Sequence, residues 1–486
     1  MRRALATLTM VFALALPAHA ERPRPLGWAM DAMRAGSWDN AALIARRDGA
    51  VAVDVIEWHR LRAGRGTYAE VTDFLRRRPD WPGEAYLRRQ SEEAVIREGD
   101  KAILDFFTGQ GPQTPEGVLA HAAALLRADR LGEAQARLVL AWRTLPMSGN
   151  DQAKFIDAHG PLLKPHHAAR LDEMLWQREH AEARQMFDLV SDADKALAET
   201  RIALQNLDGD VNALIDALPA SKAGDPGLQA DRFEWRIRKG YGDSAKDLML
   251  SQSVSAAALG QPAAWANRRR ALARDEMRNG DPARAYQMAS KHFLSEGSHF
   301  ADLEWLSGYI ALRFLKDPKL ALGHFQAHDG AVESPISQGR AGYWQGRAYQ
   351  AMGDAEGAAK AYAQGAKFQS SFYGLLAAER GNLPFDTSLA GAPPEQDWRT
   401  SALAQAPLFQ AGLLLQASGE LSTAERFWTH LAEQLITEDA ALLGQAAIDV
   451  GQPHLAVMIG KRVAQRGITI AGPYYALHDA IKLDLN

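Results

Sequence analysis

Apolar residues recur along this chain at the three- and four-residue spacing of amphipathic helices, and glycine closes off the runs that carry them. Turns are predicted near Gly36, Gly66, Gly99, Gly132, Gly209, Gly242, Gly280, Gly353, Gly419 and Gly451, with Lys316-Asp317-Pro318 in the same role. Many neighbouring turns stand roughly 30 to 40 residues apart, the length of one helix-turn-helix repeat. Similar residues follow several of them: Ala285 and Tyr286 after Gly280-Asp281, Ala321 and Phe325 after Asp317-Pro318, Ala358 and Tyr362 after Gly353-Asp354, Ala424 and Phe427 after Gly419. Ahead of two of these turns stands a tryptophan near a glycine, Trp305 with Gly308 and Trp344 with Gly346. Such a hairpin cannot bury its apolar face alone, so hairpins stack, and the pattern predicts an all-α, tetratricopeptide-like superhelix. No stretch reads as a convincing strand; Val51 to Ile56 alternates briefly but continues into EWHRLRAG at helical spacing.

The sharpest repeat lies between Ser334 and Leu383. Ser334 is an N-cap and Pro335 fits the first helical position, so a helix is expected to about Met352, where Gly353 supplies a left-handed stop and Asp354 the next cap. In the second helix Ala358, Ala359, Tyr362, Ala363 and Ala366 draw a small-residue face with one aromatic knob. A third helix begins near Ser371, with Phe372, Leu375 and Leu376 on one side, and ends at Gly381. Proline and glycine then crowd into Leu383 to Pro394, which predicts a superhelical region over 21–383, a linker-like segment over 384–397 and further hairpins over 398–486.

The runs SPIS, RAGYWQGRAY and FYGLLAAERGNLPF resemble the segment just upstream of the catalytic domain in the soluble lytic murein transglycosylases of Gram-negative bacteria. FLRRRPDWPGEAYLRR and HHAARLDEMLWQREHAEARQM are similar to earlier parts of that family's superhelix, and GKRVAQRGITIAGPYYALHD to its connection into the catalytic domain. The resemblance implies a U- or ring-shaped α-superhelix that precedes a lysozyme-like domain cleaving peptidoglycan glycan strands. In the family that domain carries a Glu-Ser pair, a Gly-Leu-Met-Gln motif and an Ala-Tyr-Asn-x-Gly motif, and none of these follows Leu477. Glu333-Ser334 is the sole Glu-Ser pair, and there Ser334 already serves as a helix cap before Pro335. No glutamate here inherits the catalytic assignment. The expectation is a periplasmic scaffold that binds or guides glycan strands or docks a lysozyme-like domain. A shortened form of an active lytic transglycosylase and a tetratricopeptide-like protein adaptor are the alternatives.

Composition narrows the picture further. Of the 486 residues 47% are hydrophobic and 23% charged, ample for a large core. Met1 to Arg3, the apolar run Ala4 to Leu16 and Ala18-His19-Ala20 read as a secretory signal peptide over 1–20, too short and too broken at Pro17 for a stable membrane span. The formal net charge of −4 becomes two units more negative once Arg2 and Arg3 leave, which argues against nucleic acid. There is no cysteine, hence no disulfide and no thiolate metal site.

Candidate chemistry is sparse. His159, His166, His167 and His180 lack a zinc spacing and are expected at the surface or at caps, so no metal and no cofactor is predicted. Arg76 to Arg78, Arg268 to Arg270 and the pair Glu92-Glu93 are expected on solvated helix faces. Tryptophans recur in nearly every repeat, where a knob at a fixed position is core. The adjacent aromatics are the exception. Tyr343 and Trp344, adjacent on a helix, cannot both face fully inward, so one of the pair is expected to meet another element, and Phe372-Tyr373 and Tyr474-Tyr475 invite the same interface reading. These six residues are the candidates for an interaction surface.

Overall fold

The computed structural model describes residues 24–478; the signal peptide expected at 1–20 lies outside them. Among the described residues one helical hairpin follows another, with no β-strand. Local chemistry sets the turns. Gly36, Gly353, Gly419 and Gly451 take φ of 77°, 78°, 81° and 73°, a left-handed stop that costs glycine no Cβ clash. Asp281, Asp317 and Asp354 then accept from the backbone N–H of Ala283, Leu320 and Gly357 at 2.9, 2.9 and 2.8 Å, capping helices Pro282–Ser290, Pro318–Gly330 and Ala355–Gly365. Elsewhere Asp129, Arg178, Leu207 and Lys316 occupy the left-handed position with φ of 57°, 63°, 65° and 59°. Glycine therefore locates those turns only approximately.

Within a hairpin an aromatic ring of the second helix lies against a glycine of the first. A Cβ on Gly308 would come within 2.6 Å of Phe325, one on Gly346 within 2.5 Å of Tyr362, and one on Gly412 would collide with Trp428. The ring equivalent to Tyr362 in the hairpin after Gly419 is thus Trp428, not Phe427, and Trp428 stands at the same distance from its turn glycine as Tyr362 does from Gly353.

Helix Pro335–Met352 carries Gly339, Gly342 and Gly346 in one groove. There Ser371 and Gly374 approach the first, and a Cβ on the second would lie 2.5 Å from Gly365 N. The gap at Gly342 takes only small residues, and the Tyr362 ring fits where Gly346 leaves room for it. Accordingly Ala358, Ala361, Tyr362, Gly365 and Ala366 face inward, while Ala359 and Ala363 are exposed. In helix Phe372–Arg380 the buried residues are Gly374, Ala377 and Ala378; Phe372 and Leu375, which share one side, stay 69% and 43% exposed.

The stack closes on itself. Residues 384–397 are irregular, with one 3-10 turn at Thr387–Ala390. The following helices, Pro407–Ala417, Leu421–Ala432, Thr437–Asp449 and Pro453–Ala464, return to the first ones. Pro407–Ala417 meets both Pro25–Arg34 and Ala50–Arg62, and a single hydrophobic core joins Leu26 through Phe107 to Trp398 through Ile470. At its centre the Phe427 ring stands edge-on to Trp58 and Trp81, with centroids 5.1 and 5.0 Å away. All three are buried. Trp58 Nε1 donates to Pro82 O at 3.0 Å, and at the rim Arg34 pairs with Glu420.

Truncating that central ring tests the closure. Phe427→Ala is expected to cost about 3–5 kcal/mol and to accelerate amide exchange in helices Ala50–Arg62 and Pro407–Ala417 while leaving Pro335–Met352 protected. Unchanged exchange at both would refute a shared core.

Candidate functional site

Helix Pro335–Met352 packs against Pro318–Gly330, Ala355–Gly365 and Phe372–Arg380. It therefore has neighbours on three sides, and Tyr343 and Trp344 are both buried, 6% and 5% exposed. The two rings are buried on different sides of the helix, each against another element. Tyr343 points to Tyr362 and Tyr373 at 6.2 and 5.5 Å and accepts from Arg347 Nη1 at 2.9 Å. Trp344 points the other way, to Tyr309 and Phe325 at 5.1 and 5.9 Å. Phe372 extends this cluster to the surface through Tyr373, at 5.2 Å. Tyr474 and Tyr475 form a separate pair, 4.8 Å apart. Their backbone crosses helix Pro453–Ala464 at Gly460, where a Cβ would lie 2.6 Å from the Tyr474 Cα. Of the six candidates Phe372 and Tyr475, 69% and 49% exposed, offer open apolar surface.

Each charged run expected on a solvated face sends part of itself inward, while Arg76 and Arg268 stay exposed. Successive helical residues point in directions ~100° apart, so a run of three cannot share one face. Arg269 is fully buried and donates to Met288 O at 2.8 Å and Ser253 Oγ at 2.7 Å. Arg77 and Arg78 both grip the buried Asp54, at 2.8 and 2.5 Å. Glu92 is buried too and accepts from the backbone N–H of Gln113 and Thr114 at 2.6 and 2.9 Å, whereas Glu93 remains exposed beside Arg97. Among the four histidines expected at the surface or at caps, His167 is buried against Trp142, at 5.4 Å.

Sequence reasoning did not find one buried polar cluster that spans three helices. Glu304, on helix Gly297–Ile310, accepts from His292 Nε2 at 2.9 Å and from His324 Nδ1 at 2.7 Å. The Leu294 N–H donates to His292 Nδ1 at 3.0 Å, which leaves Nε2 to carry the proton toward Glu304. His324 Nε2 meets Tyr286 Oη at 2.8 Å. Three helices, Pro282–Ser290, Gly297–Ile310 and Pro318–Gly330, are thereby tied by one chain of hydrogen bonds. Burial works to raise the Glu304 pKa, but the two imidazole donors win and hold it near about 2.

Grooves open between the repeats. One of about 270 Å³ is lined by Asp172, Asp194, Asp225, Arg201 and Lys222. Its carboxylates are committed: Asp172 to Arg201 at 2.6 Å, Asp194 to Lys222 at 2.5 Å, and Asp225 to the Leu228 N–H as a helix cap. Among the described residues no group of three His, Cys, Asp or Glu side chains is arranged to hold a metal ion, and no helix is long and apolar enough to cross a membrane.

No family model matches the sequence, and no curated protein matches it. Solved structures do. A soluble lytic transglycosylase from Pseudomonas aeruginosa, in an inactive variant, aligns over 95% of this chain and 74% of its own, with TM-score 0.63 and 18% identity. The 70 kDa soluble lytic transglycosylase of Escherichia coli aligns over 94% of this chain and 72% of its own, at TM-score 0.56 and 17% identity. The fold is that of the soluble lytic transglycosylases. A complex of a 70 kDa soluble lytic transglycosylase with bulgecin A shares it as well, over 93% of this chain and 70% of that one, at TM-score 0.53 and 17% identity. At these identities what is held in common with the transglycosylases is the all-α superhelix.

The Glu304 cluster yields a pH dependence. Because its pKa is depressed in the folded state, the unfolded chain binds more protons between about pH 4.5 and 2, so stability rises with pH across that window. The contribution is complete above about pH 4.5 and is lost as pH falls toward 2, on the order of 3 kcal/mol in all. Urea unfolding of wild type and Glu304→Gln from pH 5 to pH 2.5 is expected to show the steeper acid loss in wild type. Parallel curves would dismiss the cluster as a source of stability.

Proposed function

We propose that this chain is a superhelical scaffold in peptidoglycan turnover, acting in the periplasm, where it binds or guides glycan strands or docks a lysozyme-like catalytic domain. One observation carries the reading: likeness along almost the whole chain to soluble lytic transglycosylases of two bacteria. The signal-peptide pattern at residues 1–20 supports the compartment. Two separate docking patches, one at Phe372 and Tyr373 and one at Tyr475, are part of this proposal, since Phe372 and Tyr475 present aromatic rings to solvent.

A second reading is that the chain belongs to an active lytic transglycosylase. The neighbours are longer than the part this chain aligns with, 72% and 74% of their lengths. Co-sedimentation with purified sacculi separates the possibilities. The scaffold reading expects retention on sacculi with no soluble muropeptide released. Release of muropeptides favours the enzyme, and binding to periplasmic proteins without any retention on sacculi favours an adaptor.

A further inference from the structure

The first helices of three successive hairpins, Pro262–Asn279, Gly297–Ile310 and Pro335–Met352, lie side by side and are bridged by charge. Arg270 pairs with Asp302, and Arg340 reaches the other oxygen of the same carboxylate at 3.5 Å. Arg340 also lies over the Trp305 ring, 5.0 Å from its centroid. Along Pro262–Asn279 the residues Arg270, Arg274 and Arg278 recur every fourth position, so they form one stripe. Asp275 and Glu276 of the same helix turn toward another face, where Lys246 takes them at 3.1 and 2.8 Å, although Asp275 also feels the Arg278 charge. Arg274 feels Arg270, Arg278 and Arg340 against the lone carboxylate Asp302.

This is an unusual excess of positive charge on an acidic protein. Arg274 is half-buried and has no carboxylate or carbonyl within hydrogen-bonding distance; burial, and after it the Arg270 charge, lowers its pKa. Arg270 Nε and Arg340 Nε are buried without a hydrogen-bond partner. Arg270 is already committed through its Nη atoms to Asp302 and Asn267, so the donors left for a ligand are those of Arg274 and Arg278, and planar forks of this kind match carboxylates.

We infer that the Arg270–Arg274–Arg278–Arg340 surface is a binding site for clustered carboxylates, and that the carboxylates it takes are those of the peptide stems carried by peptidoglycan strands. The second half rests on the function proposed above. The Trp305 ring beneath Arg340, itself packed against Tyr309 and Trp344, holds that guanidinium in place.

Three probes are titrated into the full chain: soluble glycan strands with intact peptide stems, the same strands stripped of peptide by an amidase, and poly-L-glutamate. Arg274→Glu is expected to weaken binding of stem-bearing strands roughly tenfold or more and to leave stripped strands unaffected; Arg274→Lys should lose less. Arg278→Glu, at the exposed end of the stripe, repeats the test should Arg274→Glu fail to fold. Wild-type affinity for stem-bearing strands in both glutamate variants overturns the site while leaving the scaffold proposal intact. Arg274-dependent binding of poly-L-glutamate, with neither peptidoglycan probe bound, keeps the carboxylate site but overturns both its assignment to peptide stems and the function on which that rests.

Discussion

Stacked hairpins have an intrinsic difficulty at their two ends, where an apolar face has no neighbour to cover it. Here each end covers the other. Phe427 fits edge-on between Trp58 and Trp81, and the core around them is drawn equally from the beginning and the end of the described chain. Everything between is an arch whose curvature must return Leu421–Ala432 to Ala50–Arg62. The glycine contacts at Gly308, Gly342, Gly346 and Gly412 serve that requirement, because they fix how closely consecutive helices approach.

Along the arch, buried arginines hold successive hairpins in register. Arg170 donates to Trp142 O and Leu145 O at 2.6 and 2.9 Å, Arg201 binds Asp172 and Asp231 at 2.6 and 2.7 Å, and Arg269 reaches Met288 O and Ser253 Oγ. All three are fully buried. A guanidinium is long enough to cross from one hairpin to the next and carries donors enough to answer carbonyls that the helix ends leave open. Removing one partner of such a pair would leave a buried charge, so these positions specify geometry more than they add stability.

What was legible in the sequence was local. Gly353-Asp354, Asp317-Pro318 and the Ser334 cap act over a few residues, and their turn and capping roles hold in the structure. Facing directions were less legible, because they depend on how many neighbours a helix acquires. Tyr343 and Trp344 are both buried for that reason, and Phe427 joins the closure instead of its own hairpin. Least visible were features assembled from distant segments. Glu304 draws one partner from the loop before its own helix and the other from the next helix, the carboxylate shared by Arg270 and Arg340 comes from a helix that carries neither, and Glu92 accepts from backbone N–H groups more than twenty positions away. No spacing rule links such residues, since superhelical stacking and not helical periodicity brings them together.

The closed core also governs the order of folding. Contacts between Trp58 and Phe427 span most of the chain, whereas contacts such as Gly346 with Tyr362 are made within one hairpin. Local hairpins can form early, but loop closure over so long a separation must come last. Until Leu421–Ala432 arrives, the greasy flank around Trp58 and Trp81 stays uncovered and open to misassembly with another nascent chain. The ring is finished by its final helices, and a holding partner during synthesis would have that one seam to guard.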